Sequence, residues 1–267
     1  MTRRRTSRPE DLEIIEAALQ GAARAAAPYL GNPFKIDYKE NGDPVTEVER
    51  KINEVLHSLL VRGDEGWLSE ETADDLARLT KHRVWVVDPI DGTREFVEGI
   101  PEWCISVGLI ERGVPVAGGV LNPIACRLVL GSIEAGVTIN GKPHSLAEKA
   151  CLAGCLVLAS RSEVKKGEWE CFGGRGYEIR PTGSIAHKLC LVAAGLADAT
   201  WTLVPKHEWD VAAGTALVKA AGGDVYDLQG KTPQFNRSDV LLHGLIAHRP
   251  GLRAAVGEEI ASSRTRI

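Results

Sequence analysis

A strand-like run that ends directly in two carboxylates constrains this chain more than any other feature. The letters VWVV at 84–87 are typical of a strand, and DPIDGT at 88–93 follow without a spacer. Proteins of the α/β class bind ligands where sheet strands end, and Asp88 and Asp91 offer the hard oxygen ligands that suit Mg²⁺. The amides that follow Asp91 could face an anion. A simple turn explains DPIDG equally well, because each of these residues favours turns, so the run alone leaves both interpretations open.

Hydrophobic periodicity predicts helices and strands mixed along the whole chain. Two capping boxes, SRPE at 7–10 and TEVE at 46–49, each precede an apolar stripe at helical spacing and predict the first two helices. The polar run 39–44 between them is predicted to be a loop. The predicted strands are 84–87, 105–110, 114–121, 128–130, 156–159, 199–203 and 241–247, and the further predicted helices are 185–194, 211–221 and one from 252.

This order of elements predicts an α/β (α+β) protein in which helices and sheets form layers. The consecutive strands before 150 favour an antiparallel or mixed sheet, and the later elements alternate between strand and helix. Because the sequence shows no repeat and no low-complexity linker, we expect a single unit over 1–267. Its subregion 1–150 would hold the N-terminal helices, the mixed sheet and the carboxylate loop, and 151–267 would form the C-terminal α/β half.

The charge balance excludes some partners. The 267 residues include 36 acidic and 32 basic side chains, a formal net charge of −4, whereas a protein held to a nucleic acid polymer by its bulk field needs a basic face. We therefore expect no nucleic acid polymer as partner. No apolar run suggests a signal core or a membrane contact. Six cysteines form no CxxC pair, which favours reduced thiols and a cytoplasmic location.

Two further acidic segments accompany the DPIDGT run. LSEET at 68–72 places Glu70 at the end of a short apolar segment, and EWDVAAG at 208–214 places Asp210 at the start of a helix of small residues. Either carboxylate, taken alone, is explained as a solvated charge or a helix cap. Only their combination with Asp88 and Asp91 favours a functional site.

The set of segments resembles the inositol monophosphatase superfamily of Mg²⁺-dependent, lithium-sensitive phosphomonoesterases. The resemblance is carried by WVVDPIDGT at 85–93, by WDVAAG at 209–214 with AAGG at 220–223, and by the Glu-Glu pair at 70–71, and it extends from about 43 to 223. It implies a layered αβαβα sandwich of the sugar-phosphatase type. It also implies two or three Mg²⁺ ions per subunit, a homodimer, and a small phosphorylated metabolite as substrate.

The resemblance assigns roles to individual residues. Its metal ligands correspond to Glu70, Asp88, the carbonyl of Ile90, Asp91 and Asp210. Metal-activated water would attack the phosphorus, with Glu70, Asp88 and Thr93 as the catalytic residues and with Gly92 and Thr93 donating to the phosphate.

One position departs from the family pattern. Glu49 stands where many relatives carry an aspartate that helps to organise a third metal or its waters. Its place as the fourth residue of the TEVE capping box explains a glutamate equally well. The role of Glu49 is therefore open at this point.

Substrate choice is less constrained than reaction class. Inositol-specific members of the family resemble one another in having a glutamate seven residues before the aspartate that corresponds to Asp210. Leu203 holds that position here. Features that resemble bacterial 3′(2′),5′-bisphosphate nucleotidases are DGTREF at 91–96, SRSE at 160–163, and Gly183-Ser184 followed by Lys188. Arg161 or Lys188 could contact a second phosphate, although both are also explained as ordinary surface charge.

We therefore predict a bisphosphate nucleotidase that converts adenosine 3′,5′-bisphosphate to AMP, with Gly92, Thr93, Gly183, Ser184, Arg161 and Lys188 as substrate contacts. The segment 135–143 and the spacing from 183 to 190 resemble the inositol type instead, so inositol-1-monophosphatase is the first alternative. Histidinol phosphatase and fructose-1,6-bisphosphatase come next. The alternatives outside catalysis are a regulatory protein that binds a partner through the same fold and a purely structural metal site.

Overall fold

The computed structural model of the chain describes residues 7–38, 42, 44–172 and 175–264. Within them the α-helices are α1 (Arg8–Ala26), α2 (Glu47–Leu60), α3 (Thr93–Val97), α4 (Arg161–Lys165), α5 (Ile185–Ala193), α6 (Glu208–Ala220) and α7 (Arg253–Arg264). The strands are β1 (Ile36–Tyr38), β2 (Pro44–Thr46), β3 (Gly66–Ser69), β4 (Arg83–Asp91), β5 (Cys104–Glu111), β6 (Val114–Asn122), β7 (Arg127–Ser132), β8 (Gly136–Ile139), β9 (Lys142–His144), β10 (Leu156–Ser160), β11 (Glu178–Thr182), β12 (Ala199–His207), β13 (Asp224–Tyr226) and β14 (Leu241–His248).

Two large sheets are built from these strands. Among the described residues, the first sheet has the order β3-β4-β5-β6-β7-β8-β9, in which β3 and β4 are parallel and all other neighbours are antiparallel. The second sheet has the order β11-β10-β12-β14-β13. The mixed first sheet confirms the expectation for the strands before 150. Of the predicted loop at 39–44, residues 39–41 and 43 lie outside the described part, and Pro44 already begins β2.

The helices form three layers around the two sheets. Along β4 the side chains alternate, so that Trp85 and Val87 pack against α1 and α2 while Val84 and Val86 face α5 and α6. The far sides of α5 and α6 pack on the second sheet, whose outer face is covered by α7. The chain is therefore an αβαβα sandwich, as the family resemblance implied. None of the described helices is both long and apolar enough to cross a membrane.

Small residues allow α6 to lie unusually close to the first sheet. A Cβ added to Gly118 on β6 would lie 2.7 Å from the carbonyl oxygen of Ala213, and one on Gly108 of β5 would lie 2.9 Å from the Ala213 amide. The run of alanine and glycine in α6 therefore reflects close packing between helix and sheet. This contact fixes the helix that carries Asp210 against the sheet that carries Asp88.

We expect Gly118→Ala to lower the free energy of unfolding by about 1–3 kcal/mol, because the added methyl meets backbone that cannot move aside. Gly257 in α7 is a matched control, since an added Cβ there meets nothing within 4 Å. Gly257→Ala should instead stabilise the protein by up to about 1 kcal/mol through helix propensity. Urea denaturation measures both effects, and equal midpoints for the two variants would contradict the close approach of α6.

The strand β12 continues four residues beyond its predicted end at 203. A bulge between Thr202 and Pro205 lets residues 205–207 pair with β14 alone. Proline is tolerated there because β10 pairs with β12 only at Val157–Ala199 and Leu158–Thr200. The helix α6 also begins at 208 rather than 211, so that Asp210 lies inside its first turn.

Candidate active site

Three carboxylates converge where β3, β4 and α6 meet. In the parallel pairing of β3 with β4, Ser69 is opposite Val87, so the next residues, Glu70 just after β3 and Asp88 within β4, lie side by side. The first turn of α6 brings Asp210 to the same place. One carboxylate oxygen from each of Glu70, Asp88 and Asp210 lies within 4.8 Å of the other two. The structure thus brings together three of the predicted ligands.

The end of β4 contains an irregularity between Asp88 and Asp91, after which Asp91 pairs again, with Cys104 of β5. The Ile90 amide donates to Oδ1 of Asp88 at 3.0 Å, which fixes that carboxylate. The side chain of Ile90 is fully buried against the α1 and α2 layer, and its carbonyl accepts from the Thr93 hydroxyl at 3.2 Å. Gly92 has a φ of 98°, so a glycine lets the chain reverse direction here and begin α3.

Asp91 is held by the start of α5. Its Oδ2 accepts from the Ser184 hydroxyl at 2.6 Å and from the amide of Ala186. Ser184 has a φ of 55°, a left-handed conformation that a serine adopts only when its surroundings fix it. The predicted substrate contact Ser184 therefore has another function in the structure, because its hydroxyl connects Asp91 to α5.

Burial and repulsion raise the pKa of Asp88 and Asp210. Burial raises the pKa of Asp88 and Asp210 well above the usual range, and repulsion from Glu70 and Asp91 adds to the rise. Burial also raises the pKa of Asp91, although the hydrogen bonds from Ser184 and from α5 oppose it. Such a cluster is electrostatically unfavourable unless it binds protons or a cation.

The donor chemistry of this cluster fits a hard divalent cation. The converging side-chain donors are all carboxylate oxygens, and the carbonyl of Ile90 and the carboxylate of Asp91 follow within three residues of Asp88. Oxygen-only sets of this kind suit Mg²⁺ and Ca²⁺ rather than softer metals. The cluster of Glu70, Asp88 and Asp210 therefore could hold a metal.

Glu49 has the capping role that the sequence offered, and it also contacts Thr93. Its Oε2 accepts from the Thr46 amide and the Glu49 amide donates back to the Thr46 hydroxyl, which completes the capping box of α2. Its Oε1 accepts from the Thr93 hydroxyl at 2.6 Å. Burial raises the pKa of Glu49 to about 7, against the opposing effect of the hydrogen bond from Thr93. The start of α2 thus connects directly to Thr93 in the DPIDGT segment.

The predicted substrate contacts Arg161 and Gly183 lie at one edge of the second sheet. Strands β10, β11 and β12 are parallel, so their carboxyl ends share that edge. Arg161 follows β10 and its guanidinium binds Glu102, while Gly183 follows β11 and donates its amide to Glu102 at 2.7 Å. The Arg161 side chain remains 41% exposed. Glu102, which the sequence did not single out, therefore connects this edge to the segment after α3.

Lys188 does not occupy the surface position that contact with a second phosphate requires. The residue is 3% exposed, and its ammonium donates to the carbonyls of Thr182 at 3.3 Å and Ser184 at 3.1 Å. Burial lowers its pKa to about 8, against the opposing charge of Asp91. Lys188 therefore stabilises the turn before α5 through these two carbonyls. Because it is buried, the alternative of an ordinary surface charge is wrong as well.

Lys206 is a cation near the site that the sequence analysis missed. It lies near the carboxyl end of β12, and its ammonium is 3.6 Å from Oε1 of the buried Glu163. Burial raises the pKa of Asp91 and Asp210, and the charge of Lys206 opposes that rise. In the sequence, only its position four residues before Asp210 indicated that Lys206 could lie near the site.

Comparison with known proteins identifies the family. The model of the inositol monophosphatase family matches residues 8–265. An inositol monophosphatase from Mesembryanthemum crystallinum is 34% identical over 226 residues, which cover 79% of this chain and 84% of that protein. A Nus factor SuhB from Xylella fastidiosa is 31% identical over 73% of this chain and 71% of that protein.

Solved structures agree with this result. The IMPase from Thermotoga maritima matches with a TM-score of 0.82 and 26% identity, over 97% of this chain and 99% of that one. CysQ from Bacteroides thetaiotaomicron, described as a bacterial member of the family, matches with a TM-score of 0.75 and 28% identity, over 90% of this chain and 97% of that one. The chain therefore belongs to the inositol monophosphatase family, and it is a phosphatase, a hydrolase of phosphoric monoesters.

Proposed function

We propose that the protein is an Mg²⁺-dependent phosphatase of small phosphorylated metabolites, with a preference for a 3′(2′),5′-bisphosphate nucleotide. The observation that carries the metal dependence is the convergence of Glu70, Asp88 and Asp210 within 4.8 Å. With Asp91 and the Ile90 carbonyl, these residues would hold two or three ions. Bound there, Mg²⁺ would supply positive charge that acidifies water and stabilises the departing oxygen.

Thr93 is placed to orient the attacking water. Of its two acceptors, the Thr93 hydroxyl lies closer to Oε1 of Glu49, at 2.6 Å, than to the Ile90 carbonyl, at 3.2 Å. With its proton donated to Glu49, the Thr93 oxygen can accept a hydrogen bond from a water. Glu49 is buried and fixed at its second oxygen by the Thr46 amide. We therefore assign Thr93 and Glu49 to one hydrogen-bonded pair that holds the nucleophile, together with Glu70.

The phosphate itself would contact the loop at Gly92 and Thr93. A Cβ on Gly92 would lie 3.1 Å from Trp103 and 3.2 Å from Ser184, so this loop is packed from two sides and cannot shift far. Its amides are therefore held in one orientation before the substrate arrives. Gly183 and Ser184 would border the phosphate rather than bind it through their own amide and hydroxyl, which already have partners in Glu102 and Asp91.

Two observations support a substrate with a second anionic group. Leu203 is apolar where inositol-specific relatives resemble one another in a glutamate, so it cannot accept hydrogen bonds from ring hydroxyls. The neighbouring strand ends carry Arg161, partly exposed, and Lys206, 21% exposed. Cationic side chains at this edge suit a second phosphate better than a neutral ring.

A kinetic panel tests this preference. Adenosine 3′,5′-bisphosphate should give a higher kcat/KM than inositol 1-phosphate, histidinol phosphate or fructose 1,6-bisphosphate, and all phosphate release should need Mg²⁺. Arg161→Gln should lower kcat/KM for the bisphosphate roughly tenfold, the loss of one charge-assisted contact. The same variant should leave inositol 1-phosphate turnover unchanged, which serves as the internal control. A higher kcat/KM for inositol 1-phosphate than for the bisphosphate would overturn the proposed preference.

A second function is suggested by one relative. The name Nus factor SuhB describes the Xylella fastidiosa protein that is 31% identical to this chain. A regulatory role through partner binding would then coexist with the metal site or replace it. If the protein bound a partner but released no phosphate from any panel substrate with Mg²⁺, regulation would be its main function. The proposed homodimer and cytoplasmic location rest on the family resemblance and the cysteine pattern alone.

A further inference from the structure

Arg78 is a buried arginine that joins two loops near the carboxylate cluster. Its side chain is only 1% exposed and lies in the short turn that follows the Glu70 loop. The guanidinium donates to both carboxylate oxygens of Asp74, and the shortest of these hydrogen bonds joins Nη2 to Oδ2 at 2.7 Å. It also donates to Oδ1 of Asn236 at 2.8 Å and to the carbonyl of Arg237 at 2.9 Å. One side chain therefore holds the loop before β14 to the loop after β3.

Glu208 holds the same loop from the other side. This carboxylate is the first residue of α6 and has no exposed surface. Its Oε2 accepts from the Asn236 amide at 2.7 Å, and its Oε1 accepts from the Arg237 amide at 3.0 Å. A buried carboxylate that accepts two backbone amides is a strong and directional contact. Asn236 has a φ of 57°, so the loop is held in a left-handed conformation at the contact.

These contacts form a continuous chain between two metal ligands. Asp74 lies four residues after Glu70, and Glu208 lies two residues before Asp210. We propose that the clamp of Asp74, Arg78, Asn236 and Glu208 sets the spacing between the Glu70 and Asp210 carboxylates, and thereby the affinity of the site for its divalent cation. Its members are positioning residues, and the inference rests on the proposed metal-dependent function.

The physical reason is that neither ligand is held by a strand ladder. β3 ends at Ser69, so Glu70 already belongs to a loop, and Asp210 lies in the first turn of α6. Loss of a residue that orients a ligating group typically lowers metal affinity roughly 10–100-fold. The clamp supplies that orientation between segments far apart in the sequence, since Arg78 and Asn236 are separated by 158 residues.

Asn236→Gly is the most informative variant. Glycine accepts the left-handed backbone, so the variant removes the side-chain contacts with Arg78 while it leaves the loop conformation favourable. Asn140→Gly is a matched control, because Asn140 has a φ of 48° and also joins two segments, through Leu128 and Cys126. It lies at the turn between β8 and β9, four strands from β4 in the first sheet, roughly 19 Å away at the usual strand spacing.

Isothermal titration of Mg²⁺ into metal-stripped protein measures the effect directly. The Kd for Mg²⁺ should rise roughly tenfold in Asn236→Gly, a usual cost for losing a residue that orients ligands. Asn140→Gly should bind Mg²⁺ like the wild type. Thermal melting of the stripped proteins should give similar Tm values for both variants. Phosphate release by Asn236→Gly should recover at high Mg²⁺, since kcat is set by the ligands themselves.

Asp74→Asn provides the second test if Asn236→Gly does not fold. Asp74 is 23% exposed, and an asparagine keeps one acceptor oxygen for Arg78 while it removes the paired negative charge, so the variant weakens this end of the clamp. An unchanged Kd in the folded variant would overturn the clamp and leave the metal site in place. If the wild type itself showed no heat of Mg²⁺ binding, the proposed function would fall, and the clamp with it.

Discussion

Asp88→Asn is expected to reduce phosphate release at least roughly 10³-fold, because loss of about 4 kcal/mol of transition-state stabilisation is a modest estimate for a disrupted metal centre. Asp88 is the central acid of the cluster and is 1% exposed, with Oδ1 fixed by the Ile90 amide. An asparagine keeps that hydrogen bond and nearly the same shape. The variant should therefore lose charge at the site without losing the fold.

Thermal melting separates the two effects. Without metal, the variant should melt no lower than the wild type, since one of three mutually repelling carboxylates has been neutralised. Added Mg²⁺ should raise the Tm of the wild type and not that of the variant, because a ligand stabilises only the state that binds it. Asp64→Asn is the matched control, as Asp64 is 90% exposed, and it should behave like the wild type. Full activity of Asp88→Asn would refute the metal centre.

Thr93→Val should lower kcat roughly 10²-fold or more, the usual contribution of a group that positions or transfers a proton in the transition state. Valine has the shape of threonine but cannot donate a hydrogen bond to Glu49, whose Oε1 lies 2.6 Å from the Thr93 hydroxyl. The Kd for Mg²⁺ should hardly change, because the converging metal ligands remain. Single-turnover phosphate release and titration calorimetry together distinguish a lost nucleophile contact from a lost metal.

Thr93→Ser is the control for this prediction. Serine retains the hydroxyl and should therefore keep most of the rate. Two results would contradict the assignment of Thr93 as the residue that orients water: a serine variant as slow as the valine variant, or a valine variant as fast as the wild type. The first would point to a role for the methyl group rather than for the hydroxyl.

The sequence predicts the chemical centre better than it predicts the surroundings. The strand at 84–87 and the loop after it are local features, since β-branched residues and the DPIDGT turn each prefer one conformation. The parallel pairing that places Glu70 beside Asp88 is not local, and only the family resemblance indicated it. The extra length of β12 depends on a bulge and on pairing with β14. The sequence around Pro205 predicts neither of them.

Residues around the ligands were harder to place, because their roles depend on burial. Lys188 reads as a surface cation in the sequence, yet the fold buries it beneath the turn at Ser184. Glu208 reads as an ordinary acid at a helix start, where a solvated carboxylate would be just as suitable. Its two amide partners come from a loop 28 and 29 residues later, a distance at which sequence patterns carry no information.

In the function that we propose, one sheet carries the residues of the chemistry and the other carries those of substrate recognition. Glu70 follows β3 and Asp88 lies in β4, both of the first sheet, and Asp210 lies on α6, which packs closely against that sheet. Arg161 and Lys206 instead lie at strand ends of the second sheet. Evolution can therefore exchange side chains on the second sheet and acquire a new substrate while the hydrolytic centre stays intact. A family built this way is expected to diversify in what it hydrolyses far more readily than in how it hydrolyses.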